Sequence, residues 1–445
     1  MLGLSIGSWI ILIITVLFGF YMAWTIGAND VANSMGTVFG SKTLSLKKII
    51  IIAVTFEFLG AFLVGSHVTN TLKSGIVDPA PFQDASLFNG HGEYMFIAGM
   101  LAVLLAASIW VTIATYKSLP ISTSQSIVGA VAGFGMTSIL FGDISSKWLD
   151  IGALGGISLG WILSPVMGGI ISFLLFFFIK KSIFESDDIM KRANWIIYFF
   201  IFIVIFIILL AGLSGGLRNL RETAENILPG SILDAIFDNF LIKLVLVALV
   251  SLLLTTVYYL SSGKKRKGHF SDIQKVEFLF GKLLLLTACY VAFAHGANDV
   301  ANAIGPVAAI VQIIQNGCIS KTVSIPAWVL VLGGLGIVVG VGTWGYKVME
   351  TIGKKITKIT PTRGFSASFG AASSVLICSL IGIPVSTSQI IVGAVIGVGL
   401  AGGITAIDFR VIRNIVVSWV FTIPISAFTT GLIYVLFRSI ALQFI

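Results

Sequence analysis

Long apolar runs separated by short polar links dominate this chain. Apolar stretches lie near 8–40, 49–67, 151–178, 195–213, 239–260, 277–311, 326–349 and 413–437. One of them, WIIYFFIFIVIFIILLAGL from Trp195 to Leu213, meets the roughly 20 residues a helix needs to cross a hydrocarbon core. Two more regions, near 94–141 and 366–402, are each interrupted by a polar break, which predicts a pair of helical arms in each. The pattern predicts an all-α polytopic membrane protein with about 12 membrane segments. A β-barrel would show short alternating strands instead.

Composition agrees. Of 445 residues, 57% are hydrophobic and 11% charged, against about 25% charged in a soluble domain. The net charge of +9 does not read as a nucleic-acid footprint, because the cations sit in short loops where orientation signals belong. Cys289, Cys318 and Cys378 are far apart and form neither a metal spacing nor a disulfide framework, so they read as small buried packers. The apolar N-terminus, Ile11 to Trp24, lacks a basic leader and runs into the Gly27 motif, so it is expected to be retained.

The chain repeats itself. GANDVANSMG from Gly27 matches GANDVANAIG from Gly296 at eight of ten positions. LPISTSQSIVGAVAGFG from Leu119 matches IPVSTSQIIVGAVIGVG from Ile383 at twelve of seventeen. Order and spacing are kept: 30 to 122 is 92 residues, and 299 to 386 is 87. This predicts a first repeat over 1–178, a connecting region over 179–276 and a second repeat over 277–445. Charge sets their sense. Lys42, Lys47 and Lys48 mark a cytoplasmic loop in the first copy, followed by an external one with Asp78, Asp84 and Glu93 against Lys73. Lys264, Lys265, Arg266 and Lys267 fix a cytoplasmic loop between the copies. In the second copy the order reverses: Lys321 stands alone in the first loop, and Lys354, Lys355, Lys358 and Arg363 crowd the next. The copies are therefore expected to be inverted repeats, as in many secondary transporters, with both termini outside a plasma (inner) membrane.

Two elements carry candidate chemistry. Asn29, Asp30 and Asn33, repeated as Asn298, Asp299 and Asn302, lie in apolar surroundings, where an aspartate costs roughly 2.5–3.5 kcal/mol on insertion scales. Their oxygens suit a small alkali cation, with Gly27, Gly36, Gly296 and Gly305 permitting unwinding or close approach and Pro306 ending the local helix. Helix packing accounts for the glycines and asparagines but not for a duplicated aspartate. Pro120 and Pro384 precede Ser122, Thr123, Ser124 and Gln125, and Ser386, Thr387, Ser388 and Gln389. Hydroxyl side chains there are expected to cap helix N-termini, whose amides and positive dipole end attract an oxyanion. The plainer reading is a proline kink whose polar residues repair the backbone. Glu57 is a further candidate, as a site residue or an interfacial one. His295 abuts the second element where the first has Ile26, which favours a structural role. Lys243 and Lys282, near span ends, are expected to snorkel.

GANDVANSMG, GANDVANAIGP, PISTSQ, PVSTSQ and GTWGYKVMETIGKKITKITPTRGF resemble the patterns of the inorganic phosphate transporter family, the sodium- or proton-coupled phosphate permeases. The resemblance covers both halves and leaves out the connecting region. It implies phosphate as substrate, a fold of inverted repeats with two helical hairpins, no enzymatic activity, no organic cofactor, and allows a homodimer. On matching positions it implies cation coordination by Asn29, Asp30, Asn298 and Asp299, with the Ser-Thr-Ser-Gln residues serving phosphate and cation together. Some relatives carry His where Gln125 and Gln389 stand, so the coupling ion is expected to be Na⁺, with H⁺ as the alternative. The donors do not separate phosphate from sulfate. Two membrane aspartates also suit an intramembrane aspartyl protease, but the doubled Ser-Thr-Ser-Gln elements have no role there. A passive anion channel would show flux without sodium dependence.

Overall fold

The computed structural model describes residues 5–72, 76–83, 88, 91–211, 239–262, 271–319, 325–381, 385–403 and 407–443. Lys73, Asp84, Lys264, Lys265, Arg266, Lys267, Lys321 and Pro384, on which parts of the sequence reading rest, lie outside them. Capping residues set most helix starts. Ser5 accepts from the Ser8 amide to open α1 (Ile6–Gly40), which turns at Ser41 into α2 (Leu46–Leu72). Next come α3 (Gly92–Tyr116) and α4 (Thr123–Leu140), separated by the break around Pro120. Asp150 caps α5 (Ile151–Ile179). The connecting region contributes α6 (Ile189–Ala211) and α7 (Phe240–Ser262). A Ser271–Gln274 capping box opens α8 (Asp272–Asn316), followed by α9 (Ala327–Glu350) and α10 (Pro361–Ile381). Then α11 (Thr387–Gly402) leads to α12 (Phe409–Ala441), capped by Asp408.

Among the described residues nine helices are long and apolar enough to cross a membrane. Large apolar side chains such as Leu159, Ile162, Phe421 and Phe428 stand exposed on the outside of the bundle. Water would reject such a surface and lipid accepts it. The molecule is an all-helical integral membrane protein.

The halves trade partners. α1 packs most extensively on α9, and α8 on α2; α5 packs on α11, and α12 on α4. The crossings need bare backbone. A Cβ on Gly27 would overlap the Ile337 carbonyl of α9, and one on Gly296 would overlap the Glu57 carbonyl of α2. The same joint also recurs in each half. Val77 bridges Leu149 beside the start of α5, and Thr357 bridges Ile407 beside the start of α12.

Two expectations change. The Gly-Ala-Asn-Asp elements do not unwind: α1 runs unbroken through Gly27 and Gly36, and α8 through Gly296, Gly305 and Pro306 to Asn316. Proline is tolerated inside membrane helices because neighbours restore the polar contacts it removes. The cysteines differ among themselves, with Cys378 buried, Cys289 half-buried and Cys318 exposed. The ammonium of Lys282 lies over the rings of Phe278 and Tyr258, at 5.2 and 5.9 Å.

Candidate functional site

Four helices and two breaks bring the duplicated residues to one place. On α1, Asn29, Asp30 and Asn33 are buried, since α9, α8 and α3 cover that stretch. On α8, Asp299 and Asn302 are buried and Asn298 is exposed. Ligand atoms of Asp30, His295 and Asp299 all lie within 4.8 Å of one another. The two aspartates, 269 positions apart in sequence by their numbers, are thus neighbours in space.

The Ser-Thr-Ser-Gln elements form helix starts. Ser122 caps α4 by accepting from the Gln125 amide at 3.2 Å, and Ser386 caps α11 by accepting from the Gln389 amide at 3.3 Å. Both hydroxyls keep their own proton to donate. The two tips converge on Asp30. Thr123 Oγ1 donates to Asp30 Oδ2 at 2.6 Å from the first hairpin, and Ser388 Oγ donates to Asp30 Oδ1 at 3.1 Å from the second. Asn33 Nδ2 donates to Ser388 Oγ at 2.8 Å and to Asp30 Oδ1 at 3.4 Å. Ser124 and Thr387 are half-buried beside these contacts.

Glu57 lies against this cluster. It is fully buried on α2, accepts from Ser34 Oγ at 3.3 Å and lies 3.6 Å from His295 Nδ1. His295 lies among the carboxylates. Its Nε2 lies 2.6 Å from Asp299 Oδ2 and 3.9 Å from Asp30 Oδ2, so one imidazole separates three carboxylates. The 2.6 Å approach lacks the alignment of a hydrogen bond and leaves both atoms without a hydrogen-bond partner. The sequence signal was the i,i+4 spacing of His295 and Asp299, which puts both on one helix face.

Several buried oxygens receive no hydrogen bond: Asn33 Oδ1, Gln125 Oε1, Gln389 Oε1, Asp299 Oδ2 and Glu57 Oε2. An acceptor left unmatched inside a protein costs roughly 1–3 kcal/mol. Carboxylate and amide oxygens are hard donors of the kind that suits a small cation. Asn29 differs. Its Nδ2 donates to Thr115 Oγ1 at 2.9 Å and to the Leu119 carbonyl at 3.1 Å, and its Oδ1 accepts from the Ile121 amide at 3.2 Å. That side chain faces the break between α3 and α4.

Comparison with known proteins gives a consistent answer. The sequence model described as the phosphate transporter family matches residues 26–430. A Pyrococcus furiosus protein named as a candidate phosphate permease is 41% identical over 429 residues, covering 95% of each chain. Inorganic phosphate transporter 2-1, chloroplastic, of Arabidopsis thaliana is 38% identical over 455 residues, covering 100% of this chain and 75% of its own. A solved structure titled the sodium-dependent phosphate transporter matches with a TM-score of 0.81 at 39% identity, covering 97% of this chain and 99% of that one.

Proposed function

This chain belongs to the phosphate transporter family, as a membrane transporter of phosphate and not an enzyme, and from that premise we propose that it is a sodium–phosphate symporter working by alternating access. The observation that carries the sodium reading is the buried Asp30–Asp299 pair, with ligand atoms within 4.8 Å of each other, beside which Asn33 Oδ1 and Asp299 Oδ2 receive no hydrogen bond. Sodium ions held there by Asp30, Asn33, Gln125, Asp299, Asn302 and Gln389 neutralise the carboxylates. Asn29 and Asn298, expected as ligands from the sequence, stand at the edge of this set. Phosphate then takes the hydroxyls and amides of Ser122, Thr123, Ser124, Ser386, Thr387 and Ser388 at the two helix tips.

Electrostatics makes the coupling obligatory. Phosphate near neutral pH carries one to two negative charges, and like charges about 4 Å apart repel by roughly 4 kcal/mol at an effective dielectric near 20. Each helix terminus offers only about +0.5 of a charge. The anion therefore binds after the cations. The two aspartates suggest two sodium ions per phosphate. The inverted sense of the two copies supports exchange of conformation between the halves, with the site opening to each side in turn.

Radiolabelled phosphate uptake into proteoliposomes, with sodium and proton gradients imposed separately, tests the reading. A sodium gradient alone is expected to drive accumulation, and Asp30→Asn or Asp299→Asn to reduce it about 100-fold, equivalent to roughly 2.7 kcal/mol. Uptake driven by protons alone, or unchanged in both variants, rejects it. Excess sulfate in the same assay is expected to leave uptake intact.

A further inference from the structure

The run GTWGYKVMETIGKKITKITPTRGF, from Gly342 to Phe365, gives no residue to the site, yet its first part lies against the hairpin that builds the site. α3 ends in a Schellman turn. The Leu119 amide donates to the Ala114 carbonyl and the Ser118 amide to the Thr115 carbonyl, both at 2.9 Å, with Ser118 at φ 57 where glycine is usual. The next three carbonyls have no helix to serve, and buried backbone oxygens need partners. Each accepts from a side chain of a different helix: Ser118 from Thr351 Oγ1 at the end of α9 (2.8 Å), Leu119 from Asn29 Nδ2 on α1 (3.1 Å), and Pro120 from Trp419 Nε1 on α12 (3.0 Å).

Exposure falls along this turn. Tyr116 and Lys117 are exposed, Ser118 and Leu119 half-buried, and Pro120, Ile121 and Ser122 buried. The turn therefore stands as a wall between the outside of the bundle and the site. One helical turn before Thr351, on the same face of α9, Lys347 sets its ammonium 4.8 Å from the centre of the Tyr116 ring and 4.1 Å from that of Trp344. Trp344 is steadied from α1 by Trp24, with ring centres 5.2 Å apart. Aromatic and basic residues also mark membrane interfaces, but that role does not call for a hydroxyl on a bare carbonyl of the hairpin turn. α1 and α9 end together, with Gly40 against the Gly353 backbone, on the side that Lys354, Lys355 and Lys358 predict to be cytoplasmic.

We propose that Thr351 and Lys347 form a latch that holds the turn between α3 and α4 closed over the site. They are positioning residues, supplied by the second half to a hairpin of the first. This rests on the alternating-access reading above. With the latch made, Ser122 and Thr123 stand sealed beside Asp30. With it broken, the turn lifts and the site opens to the side on which α1 and α9 end. The Thr351 bond is the one that yields, because it lies at the rim, where water replaces a lost hydrogen bond at little net cost. Asn29 and Trp419 grip the deeper part of the break and keep the hairpin in place while its rim moves.

The test uses the full-length chain in detergent, open to reagent from both sides, with Cys289, Cys318 and Cys378 changed to serine. The reporter is Ile121→Cys, buried directly behind the turn, and the control is Ala193→Cys, buried on α6. Maleimide labelling at position 121 is expected to quicken about tenfold in Thr351→Val, which loses one hydrogen bond, and to stay at the parent rate in Thr351→Ser, which keeps the hydroxyl. Lys347→Met is expected to quicken it about threefold, and Lys347→Arg, which keeps a cation over the rings, to restore it. Position 193 is expected to stay protected throughout. Equal labelling of position 121 in Thr351→Val and its parent overturns the proposal. So does a matching rise at 193, which marks general loosening, or a rise in Thr351→Ser as large as in Thr351→Val. Should Thr351→Val fail to fold, the Lys347→Met and Lys347→Arg pair decides alone. No ion gradient is imposed, so the labelling contrast is read whether or not uptake follows sodium, and failure of the latch is told apart from failure of the symport reading.

Discussion

Asp30 receives a hydroxyl from each hairpin, whereas Asp299 receives an amide from its neighbour and lies against an imidazole. The duplicated carboxylates are therefore not equivalent, and His295 is the main chemical reason. It stands where the first half has Ile26, and its ring keeps Asp299, Asp30 and Glu57 from direct mutual contact. Replacing it with the residue of the first half, His295→Ile, removes both polar ring atoms while keeping bulk. Initial uptake rates against sodium concentration are expected to show a rightward shift of about tenfold, equivalent to roughly 1.4 kcal/mol. An unshifted sodium curve would place His295 outside the cation path. Duplication made the aspartates legible in the sequence, because a repeated cost implies a repeated use. The same logic hid His295, which has no duplicate. It also hid the partners of Asn29, since the pattern sets the amide beside a carboxylate without showing that it bonds Thr115, Leu119 and Ile121.

At the level of helices, bare glycine surfaces set the contacts. Gly27 meets the α9 backbone and Gly296 the α2 backbone, so the obstacle to a side chain is a carbonyl that cannot swing aside. Gly27→Ala and Gly296→Ala are each expected to cost roughly 1–3 kcal/mol through overpacking. Thermal unfolding in detergent checks this; melting temperatures equal to the parent would mean that the crossings are looser than described. Just past the C-terminus of α4, Arg438 forks onto Asp143 at 2.6 and 2.8 Å, and Tyr434 adds a contact at 3.1 Å, tying that hairpin to α12. Spans were legible here because apolar length is a one-dimensional signal: the run from Trp195 to Leu213 lies largely within α6. The breaks were legible from Pro120 and its following hydroxyls. Which helix packs on which was not, because a membrane helix has no polar outer face to reveal its buried one. Pro306 was wrongly expected to end its helix, and of the two uses left open for Gly27 and Gly296, close approach is the one found.

For the whole molecule, the charge pattern and the repeat together predict an orientation. Ser5→Cys and Gln443→Cys in a cysteine-free chain are both expected to react with an impermeant maleimide in intact cells. Protection of one of the two would break the parity on which the inverted arrangement rests. The exchange of partners between halves also has a consequence for how the chain is made. Gly27 leaves the ribosome 310 residues before Ile337, the backbone it will rest against. At about 5–20 residues per second that is a delay of roughly 15–60 s. Throughout that interval the first half sits in the bilayer with its notched faces bare, so final assembly waits for the last third of the message, and a truncated product has nowhere to settle.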